Sequence, residues 1–249
     1  MIDSKPLSII GTTNIIKYTV ISAVLCLISF ILTRILDTSI LAIFAWINNI
    51  TFNYSPFQVT FPAYGQQGWS EGKVIFIYTL PYLIFGLLGM FMPETISRKW
   101  DWKVRLFITW VSFQMILLVS ASLIAGIFEF KQIGVALKWL LPYIWLRILL
   151  VMITIVFLLF GIRRFTWYFL RAVPTRRLLK GISEMKSWIV FGALIPILLS
   201  NLIIIPIGLQ ISNLNFGVSF IVSLIFLLII YNTVSIVKHL TLKKRRHYF

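Results

Sequence analysis

Acidic residues are scarce in this chain of 249 residues, which carries 7 Asp and Glu against 23 Lys and Arg. Asp3, Glu94, Asp101 and Glu184 fall in connections assigned below to the cytoplasmic side, and Asp37, Glu71 and Glu129 fall at the opposite ends of apolar runs. None falls in the middle of a run, which disfavours proton- or cation-coupled transport, because such transporters usually keep an acid or histidine at membrane depth. The only histidines, His239 and His247, lie in the tail. Cys26 is the single cysteine, so no intrachain disulfide and no thiol metal cluster can be assembled from this chain. No His-Glu-x-x-His, Walker A loop, carboxylate pair within a run or Gly-x-Ser-x-Gly elbow occurs. The expectation is therefore no catalytic residues, no metal and no cofactor.

What is present is apolar. The chain is 59% hydrophobic and 12% charged, whereas soluble proteins run at about 45–50% and about 25%, so a soluble globular domain is excluded. Six runs, roughly 16–36, 74–92, 106–128, 141–161, 188–209 and 217–237, each have the length of about 20 residues that crosses a bilayer. All should be helices, because lipid offers the backbone no other hydrogen-bond partner. The fold predicted is an all-α polytopic membrane protein, a single transmembrane domain over 1–249.

The formal net charge of +16 would point to nucleic acid in a soluble protein. Here it sorts by side. Lys5, Lys17, Arg98, Lys99, Lys103, Arg105, Arg163, Arg164, Arg171, Arg176, Arg177, Lys180, Lys186, Lys238, Lys243, Lys244, Arg245 and Arg246 share one side, leaving Lys73, Lys131 and Lys138 on the other and Arg34 and Arg147 within runs. By the positive-inside rule both termini are cytoplasmic, and no nucleic acid is needed to explain the charge. Heavy use of Ile, Leu, Phe and Lys fits an AT-rich bacterial genome, hence a multi-pass protein of the bacterial inner membrane.

The outer connection 37–72 is too long to lack structure of its own. Thr38 to Ile47 is apolar but too short to span and predicts a re-entrant or interfacial helix. Thr51 to Tyr64 mixes β-branched, aromatic and proline residues, with Phe57, Val59 and Phe61 on one parity, and predicts a short hairpin.

Arg147 is the sharpest single candidate. It lies about six residues, or roughly 9 Å, inside the run that starts at Leu141, and an arginine deeper than that costs at least about 2.5 kcal/mol. It reads as an anion site or subunit contact with Tyr143 one turn earlier and Thr154 two turns later; the simpler reading is snorkelling, or a pair with Glu129. Arg34 and Asp37, spaced i and i+3, read as a local ion pair. The stripes Ser22, Cys26, Ser29 and Thr33, and Gly86 and Gly89, read as close helix packing. Pro196 and Pro206 mark the fifth run as the one to kink.

The basic connection 162–187 carries an aromatic belt, Phe165, Trp167, Tyr168 and Phe169, then an amphipathic stretch with Leu178, Leu179, Ile182 and Met185 on one face. Its Arg163, Arg164, Arg171, Arg176, Arg177 and Lys180 suit anionic lipid headgroups or a docking partner. The basic tail 238–249 is the same kind of signal.

From Trp46 to Met90 the order is an apolar segment, the β-like Phe57-Gln-Val-Thr-Phe61, then Tyr78-Thr-Leu-Pro-Tyr-Leu-Ile-Phe-Gly-Leu-Leu-Gly89. This resembles the membrane core of site-2-type intramembrane metalloproteases, in which a hairpin and a glycine/proline-containing span follow the zinc-binding helix. The zinc ligands have no counterpart here, so the resemblance implies at most a zinc-less scaffold. The function expected is a non-catalytic membrane subunit of a transport, secretion or envelope complex, with partner subunits and anionic lipid as partners. The alternative is a lipid-active enzyme or lipid transporter in which Arg147 holds a lipid phosphate.

Overall fold

A computed structural model describes residues 12–61, 68–96, 100–128, 133–172 and 190–204. The elements are α1 (Thr12–Ile47), β1 (Asn53–Ser55), β2 (Gln58–Thr60), α2 (Glu71–Phe91) with a 3-10 turn Met92–Thr95, α3 (Trp102–Phe128), α4 (Ile133–Leu140), α5 (Ile144–Ala172), a π-helical turn Val190–Leu194, and α6 (Ile195–Ile204). Four of the helices are long and apolar enough to cross a membrane: those containing Ile16–Ile47, Glu71–Thr95, Trp102–Ile127 and Ile144–Ala172. The sixth predicted run, the tail and most of the fourth connection lie outside the described residues.

Helix α3 is the centre, touching α1, α2, α4 and α5. Every residue from Thr109 to Ser122 is buried, the pattern of a helix surrounded on all sides. Several of its polar side chains bond to neighbouring helices, while Ser120 Oγ has no partner among the described residues. Trp110 Nε1 donates to Ser22 Oγ at 3.1 Å, and Ser22 Oγ donates to the Gly192 carbonyl at 2.6 Å, tying α3 to α1 and to the π turn. Ser112 Oγ donates to the Gly89 carbonyl of α2, and Gln114 Nε2 reaches Cys26 Sγ at 3.6 Å. The stripe Ser22, Cys26, Ser29 and Thr33 is buried, as close packing requires.

Two boundaries differ from the sequence expectation. Thr38–Ile47 is not a separate re-entrant helix; it continues α1, which at 36 residues is about 54 Å long. Arg34 and Asp37 pair at 4.0 Å across one turn, and Thr38 Oγ1 lies 3.1 and 3.0 Å from the Arg34 and Ile35 carbonyls, so the charged step fits within the helix. It ends instead at Asn49, whose φ of 56° lets Ile50 N reach Ala45 O and Asn49 N reach Trp46 O, a Schellman stop. Likewise α5 does not end at Gly161 but runs to Ala172, taking in the first eleven residues of the expected loop. Phe165 and Phe169 do not form an interfacial belt. They are buried against Trp110, with ring centroids 5.5 and 6.1 Å away.

The expected hairpin is present. β1 and β2 pair antiparallel in the register Asn53 to Thr60, Tyr54 to Val59 and Ser55 to Gln58. It folds back on α1, where Thr38 Oγ1 donates to Pro56 O at 2.8 Å. The fifth run holds a π turn at Val190–Leu194, ahead of Pro196, which lies within the α-helix Ile195–Ile204, and Pro206 lies outside the described residues.

Ile116 sets how closely α2 and α5 approach α3. A Cβ at Gly89 would lie 2.9 Å from Ile116 Cγ1, and one at Gly161 2.9 Å from Ile116 Cγ2, whereas a Cβ at Gly86 meets only Phe157 Cζ at 3.7 Å. Gly89→Ala should therefore cost about 1–3 kcal/mol by overpacking, while Gly86→Ala should be neutral or slightly stabilising. Thermal unfolding midpoints in detergent check this, and Ile116→Ala should restore part of the loss in Gly161→Ala.

Candidate functional site

Helices α2 and α5 both lean on α3 but scarcely touch each other, and a groove of about 610 Å³ lies between them, open along one side. The volume falls within the range of about 300–1,000 Å³ usual for small-molecule sites. One wall is α2, from Thr79 through Tyr82, Leu83, Gly86 and Leu87 to Phe91. The other is α5, from Leu150 through Thr154 and Phe157 to Arg164, fourteen residues or about 21 Å apart. Val119 and Leu123 of α3 form the back, and Ile133 of α4 closes one end. The width comes from Gly86: it offers no side chain opposite Phe157.

The lining is almost wholly hydrocarbon. Thr154 Oγ1 donates to the Leu150 carbonyl of its own helix at 2.8 Å, and the Tyr82 hydroxyl is hydrogen-bonded to Ser122. Thr79 Oγ1 has no partner among the described residues. Among the lining residues the charged one, Arg164, stands at one end. Arg164 Nη2 stands 2.6 Å from Glu94 Oε1, its Nη1 donates to the Met90 carbonyl at 2.6 Å, and its guanidinium lies 5.3 Å from the Phe91 ring centroid. Arg164 thus caps the last turn of α2, where carbonyls lack helical partners and the helix dipole favours a cation. Arg163 beside it is exposed.

Between Arg147 and Arg163, every exposed side chain of α5 is apolar, among them Ile148, Leu149, Met152, Ile155, Val156, Leu159 and Phe160. Arg147 and Arg164 are seventeen residues, about 26 Å, apart along the axis, close to the hydrocarbon thickness of about 30 Å. The groove therefore runs across the apolar belt, with its charged end at the side of the basic residues.

Arg147 is in the first turn of α5 rather than six residues into a span, because the helix begins at Ile144. Its Nε donates to the Leu141 carbonyl at 2.9 Å, closing the corner between α4 and α5. Tyr143 is exposed and stacks on Trp145, centroids 6.2 Å apart. Glu129, Arg176, Arg177 and Lys180 lie outside the described residues. Arg171 is exposed, with its guanidinium 4.1 Å from the Trp167 ring centroid, and its carbonyl accepts from Arg105 Nη1 at 3.0 Å.

Of the candidates named from sequence, the structure brings only Arg164, and the flanking Thr154, to the groove. Thr79, Tyr82, Gly86, Phe157 and Glu94 were not singled out as site residues; the sole local signal was the glycine pair in α2. Among the described residues no three His, Cys, Asp or Glu gather as a metal site. The arrangement can bind; among the described residues the groove shows no nucleophile beside a base.

No protein-family model, curated protein or solved structure matches the chain.

Replacing Arg164 removes a charge-assisted bond to a carbonyl and one to a carboxylate, each about twice as strong as a neutral bond. With both groups partly solvated, Arg164→Leu should cost about 1–2 kcal/mol, read as a lowered melting midpoint. Arg163→Leu should stay within about 0.5 kcal/mol.

Proposed function

We propose that this chain is a lipid-binding protein of the bacterial inner membrane, six spans with both termini cytoplasmic, that holds one lipid hydrocarbon chain in the groove between α2 and α5 and catalyses no reaction. The observation that carries the reading is the groove itself: 610 Å³ drawn out over about 21 Å, the proportions of a single extended chain, walled by apolar side chains and open on the flank where α2 and α5 are apolar. It keeps the lipid chemistry considered for Arg147 and moves the site to the middle of α5, since Arg147 is engaged with the Leu141 carbonyl.

A second reading, a membrane subunit of a transport, secretion or envelope complex, is favoured by a different observation. Arg171, on α5 seven residues past Arg164, and Lys103, on the first turn of α3, are exposed and basic, a surface suited to an acidic cytoplasmic partner. The two readings are compatible, because a complex subunit can hold structural lipid.

Gly86→Trp tests the first. A Cβ at Gly86 meets only Phe157 Cζ, at 3.7 Å, so a bulky ring there extends into the groove. Native mass spectrometry after mild-detergent extraction should show lipid retained by the wild type and at least about tenfold less by the variant, the change that about 1.4 kcal/mol produces, with an unchanged melting midpoint. Equal retention in both would refute the groove as the site.

A further inference from the structure

We infer that the groove selects an anionic phospholipid of the cytoplasmic leaflet, its acyl chain between α2 and α5 and its phosphate at Arg163 and Arg164. This rests on the lipid reading of the groove and adds the headgroup. The hydrocarbon wall cannot supply selectivity, because lipid tails are as apolar as the side chains that line it, and moving a chain from bilayer to groove exposes nothing new to water. Discrimination must come from the polar end.

The two ends differ in charge. At one, the lining residues Thr79, Tyr82, Ile133 and Leu150 are neutral, and the nearby Arg147 is bound to a backbone carbonyl. At the other, Arg164 lines the groove and Arg163 is exposed with no ion-pair partner among the described residues. Lys103, Arg105 and Arg171 lie further along the same side, with Glu94 and Asp101 as the acids there among the described residues. Glu94 takes one edge of Arg164, so the pair is held in place and close to neutral while Arg163 supplies the net positive charge. Guanidinium is the side chain best shaped for phosphate, through paired parallel donors. Arg164 also has its stem against the groove, so a phosphate reaching Arg163 leaves the chain directly above the apolar wall.

The test uses the full chain in mild detergent, titrated with phosphatidylglycerol and with phosphatidylcholine of identical chains and followed by native mass spectrometry. Wild type should prefer phosphatidylglycerol by roughly fivefold for each arginine engaged. Arg163→Gln should lose about fivefold of that preference, weakening phosphatidylglycerol more than phosphatidylcholine, and Arg147→Gln should keep it. Equal binding of the two lipids by wild type, or loss of preference in Arg147→Gln, overturns the headgroup assignment while leaving the groove standing. Gly86→Trp separates the two: it should lose both lipids, and retention of both there overturns the groove reading itself.

Discussion

A helix segment with no free face has only its neighbours to meet the polar atoms it carries, and Thr109–Ser122 of α3 is such a segment. In hydrocarbon an unmet donor finds no water, so the indole N–H of Trp110 and the hydroxyl of Ser112 each need a partner on a neighbouring helix. Trp110 finds Ser22, which passes the bond on to the Gly192 carbonyl; Ser112 finds the Gly89 carbonyl. Each bond fixes the height of one helix against another, because a slip of one residue would move the partner about 1.5 Å along the axis and 100° around it. The small-residue stripe on α1 fits the same constraint: small side chains there let α1 come near enough for the indole to reach the Ser22 hydroxyl.

The groove is a consequence of that packing. Gly89 of α2 and Gly161 of α5 seat on opposite sides of one side chain, Ile116, so both helices are drawn tight to α3 and kept apart from each other by its width. Outward of this seat, nothing fills the gap: Gly86 has no side chain, and Phe157 alone reaches toward it. Arg164 then closes one end by capping α2 from α5. The two glycines one turn apart on α2 are chemically identical and structurally opposite, one a packing contact and one an opening.

Much of this architecture is local enough to be legible in sequence. The second and third spans begin and end within a few residues of the apolar runs, the hairpin follows from alternating β-formers around Pro56, and the Arg34 and Asp37 pair follows from i, i+3 spacing. Both overextended helices show where that reading stops. Hydropathy falls at Asp37 and at Arg163, yet a helix needs only its backbone bonds, and these continue past the charges to Ile47 and to Ala172. The site was illegible for another reason. Glu94 and Arg164 are seventy residues apart, and Gly86 differs from Gly89 only in what a different helix places opposite it.

Arg164 joins stability to recognition. In water a groove gains affinity from apolar burial, about 25 cal/mol for each Å² removed; within a bilayer that gain vanishes, because the competing state is also hydrocarbon. What remains is packing against a wall that already has the right shape, and a polar contact that costs little ordering. A free surface arginine surrenders about 2 kcal/mol of rotamer freedom when it is fixed. Arg164 has surrendered it on folding, to the Met90 carbonyl and the Glu94 carboxylate. On the proposed lipid reading it would meet the lipid as part of a preorganised floor, and Arg163, one residue earlier on the same rigid helix, inherits its position from that anchor. The contact that caps α2 is thus the one that holds the charged end of the groove in register with its apolar wall.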